Sequence, residues 1–245
     1  MKLREGLWLV GSGQFGFEMT HRLDCNIYLI GDGDEYALID AGAGVDTELL
    51  LSSIESTGVP ASRIRKLLMT HAHADHAAGA AALRQRLDLW TIASKDAGPW
   101  IESADIDRTS IGAAVFAGVY PPDYLYQPCP IDETVSDGDI IEVGALSLKV
   151  IETPGHARGH ISFALDEGDG MSLFAGDAIF AGGKIVLQQI WDCEIDAYAR
   201  TIARLNDLRI KRLYPGHGPF LLSAADRHIA KAYDCFEKLE LPPNL

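Results

Sequence analysis

Cysteine is scarce in this chain. There are four in 245 residues, and no two of them form a Cys-x-x-Cys pair. Cys25, Cys129, Cys193 and Cys235 therefore offer neither a zinc-ribbon ligand set nor the dense framework of a disulfide-stapled domain. They read as free thiols in a reducing compartment. Positive charge is also short, with 21 Lys and Arg against 35 Asp and Glu, a formal net charge of −14. So acidic a chain repels a phosphate backbone. The longest basic cluster, Arg63, Arg65 and Lys66, is too small to make a patch, so no nucleic-acid partner is expected. No uninterrupted apolar stretch is long enough to span a membrane. The opening Met1-Lys2-Leu3-Arg4-Glu5 lacks the apolar run of a secretory signal. The expectation is a cytoplasmic protein with a small-molecule substrate and no membrane partner. Linkers, low-complexity runs and composition shifts are missing too, so residues 1–245 are expected to form one domain.

What is present is a mixed succession of strands and helices. Leu7–Val10, Asn26–Ile30 and Tyr36–Ile39 are strand-like, and Gly31-Asp32-Gly33-Asp34 is a hairpin turn signal. Apolar spacing over Asp46–Thr57 predicts a helix stopped by Gly58. Ile64–Met69 predicts a buried strand, Ala77–Arg86 an alanine-rich helix and Leu89–Ala93 another strand. Ser94–Pro130 reads as a long irregular stretch with a few helical turns, of the kind that forms lids or binding loops. Its aromatics Trp100, Phe116, Tyr120, Tyr124 and Tyr126 are either pocket wall or loop core. Four strands are predicted between Asp139 and Gly176. A helix over Asp196–Leu208, a short strand over Arg212–Tyr214 and a helix over Ser223–Leu239 follow, the last with Ser223 as its candidate cap.

Nearly all the histidines sit where strands end. Ile64–Met69 runs directly into Thr70-His71-Ala72-His73-Ala74-Asp75-His76. Three of the chain's eight histidines fall within these few residues, too dense a group for an ordinary polar loop. Alternate side chains of an extended segment share a side, so His71 and His73 can meet one metal ion. Asp75 and His76, past the bend, can face a second. Imidazole and carboxylate suit zinc, and iron or manganese also accept them. Three more strand ends carry ligand-type side chains on glycine-containing turns: Thr153-Pro154-Gly155-His156, Ala175-Gly176-Asp177 and Pro215-Gly216-His217-Gly218. Each alone is only a turn; their occurrence together, in this order, makes the case. Gly11-Ser12-Gly13-x-x-Gly16 matches a dinucleotide fingerprint by letter. The next strand begins too soon for a βαβ crossover, however, so it reads as a hairpin tip near the site. Phe15 and Phe17 beside it either touch substrate or pack.

His71-x-His73-x-Asp75-His76 followed by His156, Asp177 and His217 resembles the full ligand set of the metallo-β-lactamase superfamily. The likeness is greatest to the branch holding hydroxyacylglutathione hydrolases and acyl-homoserine lactonases. The resemblance implies an α/β fold, a four-layer αββα sandwich with the site along one edge of two sheets. It implies two divalent metal ions, zinc by preference, with iron or manganese as alternatives. His71, His73 and His156 would hold the first, Asp75, His76 and His217 the second, and Asp177 would bridge them. It further implies hydrolysis of a carboxylic thioester, ester or lactone by a metal-bridging hydroxide, with Asp75 steering the nucleophile or passing a proton. Phosphodiester hydrolysis and iron-dependent redox chemistry are the alternatives on the same fold. Asp40 is either a partner that orients a ligand imidazole or a turn residue. His160 is expected to be structural or to support a ligand, His228 to be an ordinary helix residue, and His21 to border the pocket at most. Phe180 stands where many lactonases of this family carry tyrosine.

Overall fold

A computed structural model describes residues 1–245. Its strands are β1 (Lys2–Arg4), β2 (Leu7–Gly11), β3 (Ile27–Gly31), β4 (Tyr36–Ile39), β5 (Ile64–Leu68), β6 (Trp90–Ser94), β7 (Glu133–Val135), β8 (Ile140–Val143), β9 (Leu146–Glu152), β10 (Ile161–Asp166), β11 (Met171–Gly176) and β12 (Ile210–Pro215). Its α-helices are α1 (Thr47–Glu55), α2 (Ala74–Ala77), α3 (Ala80–Leu87), α4 (Ala97–Ser103), α5 (Ile111–Phe116), α6 (Ile195–Asp207) and α7 (Ala225–Glu237). Strands β1 to β7 form one sheet in sequence order, and the other sheet runs β12-β11-β10-β9-β8. The first is antiparallel from β1 to β4 and parallel from β4 to β7. The second is antiparallel except for the parallel pair β11 and β12.

The strands β2, β3 and β4 are buried at every residue because both of their faces are covered. Alternate side chains divide between two cores. Leu7, Leu9, Tyr28 and Ile30 point between the sheets and share a core with Leu148, Val150, Phe163 and Phe174 of the second sheet. Trp8, Val10, Ile27 and Leu29 point outward and pack with Leu50, Ile54, Leu83 and Ile101 of α1, α3 and α4. On the far side, Leu173, Ala175 and Leu213 pack with Tyr198, Ile202 and Ile229 of α6 and α7. The layers are therefore helix, sheet, sheet, helix, the αββα arrangement expected from the sequence.

Several local expectations are refined. The alanine-rich helix is two pieces, α2 and α3, parted at Gly79. A Cβ there would lie 2.2 Å from the Ala41 carbonyl oxygen, so close approach to the neighbouring loop sets the break. The stretch after β6 contains α4 and α5 as well as irregular chain. Ser223 does not cap the last helix: Ala224 is the capping residue, in the left-handed region at φ +57°, and makes no side-chain cap bond. Short strands β1 and β7 carry too few residues for periodicity to reveal them. No helix is long and apolar enough to cross a membrane. All four cysteines are free.

Candidate metal centre

The seven side chains singled out in the sequence converge at one edge of the two sheets. His71, His73, Asp75 and His76 follow β5 of the first sheet. His156 follows β9, Asp177 follows β11 and His217 follows β12 of the second. Two sets of three possible ligand atoms result, His71 with His73 and His156, and Asp75 with His76 and His217, and a third, His71 with His76 and Asp177, spans them; within each the atoms lie within 4.8 Å of one another. Asp177 stands between the sets. Its Oδ2 is 3.5 Å from His156 Nε2 and 3.4 Å from His217 Nε2, and its Oδ1 is 3.3 Å from His76 Nε2. Asp75 Oδ2 lies 3.1 Å from His217 Nε2 and 3.6 Å from His76 Nε2. All are buried except Asp75, whose side chain is 25% exposed and opens to solvent.

Glycine makes this convergence sterically feasible at two turns. A Cβ on Gly216 would sit 2.2 Å from Asp177 Oδ1 and 2.5 Å from His76 Cε1. A Cβ on Gly176, which takes φ +48°, would lie 2.7 Å from His160 Nε2. Neither position can carry a side chain without displacing the site.

Supporting bonds fix the rings. Asp40 Oδ2 is 2.8 Å from His76 Nδ1. The same carboxylate accepts from the Thr70 backbone N–H at 2.8 Å and from Thr70 Oγ1, which in turn lies 3.0 Å from His71 Nδ1. One buried carboxylate thus orients an imidazole in each set, His76 directly and His71 through Thr70, each with its Nε2 toward the centre. Asp40 adopts φ +64°, a conformation that Asp tolerates better than most residues. His160 is a supporting residue: its Nδ1 meets Thr153 Oγ1 at 2.8 Å and its Nε2 accepts from the Asp177 backbone N–H at 3.0 Å. His228 accepts from the Gly182 N–H, pinning the loop after Asp177. His21 lines a separate cavity of about 440 Å³ with Leu23, Val45, Val119 and Tyr120.

The electrostatics favour a cation. Burial, reinforced by the other imidazoles, holds His71 well below the usual histidine range, and burial brings His156 down to about 4. Both are therefore neutral and able to offer a lone pair. Burial opposes charge on His217 too, but the carboxylates of Asp177 and Asp75 outweigh it and raise that imidazole to about 9. His76 is likewise raised against burial by the acidic groups around it. Burial would raise Asp75, yet His76 and His217 hold it down at about 2. Carboxylates converging on a buried cluster of this kind leave a strong demand for positive charge.

The donor set fits metal ions on a further ground. His71 Nε2, His76 Nε2 and Asp177 Oδ1 are buried with no hydrogen-bond partner. Orphaned polar atoms are costly in a protein interior, and three of them gathered in one cluster are atoms that a bound metal ion would satisfy.

Around the centre the aromatics divide. Phe15, 64% exposed, meets the edge of His217 at 6.1 Å between ring centroids. Phe180 packs on the same ring from within, and Phe17 packs on Phe220. The Tyr120 and Tyr124 rings meet at a tilt, 4.4 Å between centroids. The Tyr124 and Tyr126 hydroxyls donate to the Ala43 and Ala72 carbonyls, tying the segment after β6 to the loops that carry the ligands. Trp100 meets Trp191, while Phe116 is almost wholly exposed. Sequence reading missed Thr70 and Asp192. The second contacts His73 across 119 residues, and its segment has no periodic or motif signal.

Known proteins share sequence and fold with this chain. A hydroxyacylglutathione hydrolase of Rhodopseudomonas palustris is 32% identical over 156 residues, 64% of this chain and 48% of that protein. An atrochrysone carboxyl ACP thioesterase of Aspergillus fumigatus is 27% identical over 194 residues, 79% of this chain and 50% of that protein. The chain thus spans about half the length of these curated relatives. A metallo-beta-lactamase structure from Cronobacter sakazakii superposes with a TM-score of 0.75 at 21% identity, covering 98% of this chain and 93% of the other. The model of the metallo-beta-lactamase superfamily matches residues 22–217, from the loop before β3 to the last of the seven side chains, and the chain belongs to that superfamily.

Proposed function

We propose that this chain is a metal-dependent hydrolase that holds two divalent ions, zinc by preference, and cleaves a small carboxylic thioester, ester or lactone. The observation that carries the proposal is the pair of three-atom ligand sets joined at Asp177, with three atoms of the cluster buried and unpartnered. His71, His73 and His156 would hold one ion, Asp75, His76 and His217 the other, and Asp177 would contact both. The chemistry such ions supply is Lewis acidity toward a carbonyl oxygen and acidification of water.

The chain's own groups supply the rest. Asp75, ionised and the most open carboxylate of the centre, accepts a hydrogen bond from the attacking water and orients it. Asp40, Thr70 and His160 hold His76, His71 and Asp177 in place. Phe15 and Trp191, both partly exposed, offer apolar surface to the substrate's non-reacting part. The names of two relatives, a hydroxyacylglutathione hydrolase and an ACP thioesterase, support a thioester over the other carboxylic classes.

The test is acid release by the zinc-loaded protein from thioesters, lactones, aryl esters, amides and a phosphodiester, with metal content measured alongside. Turnover of a carboxylic ester or thioester is expected, lost with the metal in His71→Ala and Asp177→Ala. Retention of metal and activity by both variants would overturn the site. Turnover of the phosphodiester alone would assign the alternative hydrolytic class, and iron as the bound metal without acid release would assign the redox one.

A further inference from the structure

His73 is held differently from the other imidazoles. Its Nδ1 faces His156 Nε2 at 3.0 Å, and its Nε2 lies 3.2 Å from Asp192 Oδ2. Asp192 is 2% exposed, and its other oxygen accepts from Ser110 Oγ at 3.1 Å. Ser110 is itself buried and takes φ +57°, uncommon for a residue other than glycine. It stands immediately before α5, in the segment between β6 and β7. That segment also grips the residue next to Asp192. The Trp191 ring meets Trp100 edge-on at 5.5 Å, and the Arg108 guanidinium lies 4.6 Å from its centre.

The chemistry of the contact is directional. An ionised carboxylate only accepts hydrogen bonds, so the proton of a neutral His73 sits on Nε2. Nδ1 then keeps its lone pair toward His71 and His156. An imidazole whose outer N–H is bound to a carboxylate is fixed in tautomer and ring angle, and is a more basic ligand. Ser110 occupies the second oxygen of Asp192 and so fixes the carboxylate in turn.

We propose that Ser110 and Asp192 are positioning residues for the His71, His73 and His156 set, so that the segment between β6 and β7 sets the metal affinity of that set. The inference rests on the reading that these three histidines hold a metal. The relay reaches one set only. Asp40 serves His71 and His76, while Asp192 touches none of Asp75, His76 or His217. The two sites are therefore affected unequally.

The experiment is zinc titration of the full chain in competition with a chromophoric chelator, resolving two sites, for the parent, Asp192→Asn, Ser110→Ala and Ser110→Gly. Asp192→Asn is expected to weaken one site by about tenfold to a hundredfold and leave the other unchanged. Ser110→Ala is expected to weaken the same site by a smaller factor, and Ser110→Gly, which also lacks the hydroxyl but accepts the left-handed backbone, to weaken it by a similar factor. Thermal melting of the metal-free proteins is expected to be no lower for Ser110→Gly than for Ser110→Ala, because glycine accepts the left-handed backbone, so a loss of affinity shared by the two belongs to the missing hydroxyl and not to a general loss of packing. If Asp192→Asn does not fold, the two Ser110 variants decide the matter. Unchanged affinity in Ser110→Ala removes the segment from the relay. Equal weakening of both sites, or none in a folded Asp192→Asn, overturns the proposal. A parent that takes up no zinc overturns the metal-site reading and this inference with it.

Discussion

At the scale of single residues, the centre depends as much on groups that touch no ligand atom as on the ligands. Asp40 illustrates this, serving both sets from one carboxylate. Asp40→Asn keeps the shape and tolerates the left-handed backbone, but its amide can donate where the His76 ring and the Thr70 N–H and hydroxyl require an acceptor. We expect zinc affinity to fall at both sites by about ten- to a hundredfold, read in the same chelator competition. A loss confined to one site would separate the Thr70 branch from the His76 branch. Gly216→Ala is expected to be more severe for the centre than for the fold. The added methyl meets Asp177 Oδ1 and His76 Cε1 well inside contact distance. Metal content measured after desalting should drop below one ion per chain while the far-ultraviolet circular dichroism is kept. The candidate ligands were legible because each follows a strand, on a short motif that also carries glycine or alternates with alanine. Asp192 was not, because its partner His73 lies far off in sequence and no spacing rule joins residues that meet only after folding.

At the scale of elements, strands with a clear apolar run were legible, and the helices α1 and α6 lie within a residue or two of their expected bounds. The misses have tertiary causes. Close approach of the Ala41 carbonyl splits α2 from α3, and the start of α7 is set by the turn at Ala224 rather than by Ser223. The segment from β6 to β7 was irregular by sequence because α4 and α5 are short and half-exposed. Its return to the sheet is fastened by Asp132, which accepts from both Arg84 terminal nitrogens and from the Thr91 N–H and hydroxyl. The Arg84 bond, aided by Thr91, holds the Asp132 carboxyl at about 2, below the ordinary value of roughly 3.9. A depressed carboxylate stabilises the fold above its unfolded pKa, and that stabilisation disappears as pH falls through the folded value. Asp132→Asn should therefore cost about 1 kcal/mol at neutral pH, discounted for partial exposure of the pair. The difference from the parent should shrink as pH drops from about 4 toward 2. Chemical unfolding at neutral pH and again in that acid window measures it, and a cost independent of pH would assign the loss to shape rather than charge.

At the scale of the whole molecule, the position of the proposed centre would give a bound metal a role in stability. His71, His73, Asp75 and His76 come from the end of β5 in one sheet, and His156, Asp177 and His217 from strand ends of the other. Between them lies the inter-sheet core of Leu9, Tyr28, Phe163 and Phe174. Tyr28 of the first sheet donates to the Pro215 carbonyl of β12, and the Asn26 side-chain amide donates to the same oxygen. The sheets are thus already tied at this edge by polar bonds as well as by packing. An ion held jointly by His71 and His73 on one side and His156 on the other, as proposed, would close the same edge, and unfolding would have to release it. A ligand that binds only the folded state stabilises it by about 2.7 kcal/mol per site at a free concentration near 100 times its Kd. For a chain of this size, 1 kcal/mol corresponds to roughly 2–4 °C in Tm, so each occupied site should raise Tm by about 5–10 °C. Thermal melting at fixed protein concentration, with chelator and then with increasing free zinc, measures this. Asp177→Ala should abolish most of the shift, because its side chain joins the two sets. A Tm that does not respond to zinc, in a protein shown to bind it, would mean that the unfolded chain binds zinc as tightly as the folded one, as the local run His71 to His76 could do alone, and that the ions do not depend on both sheets.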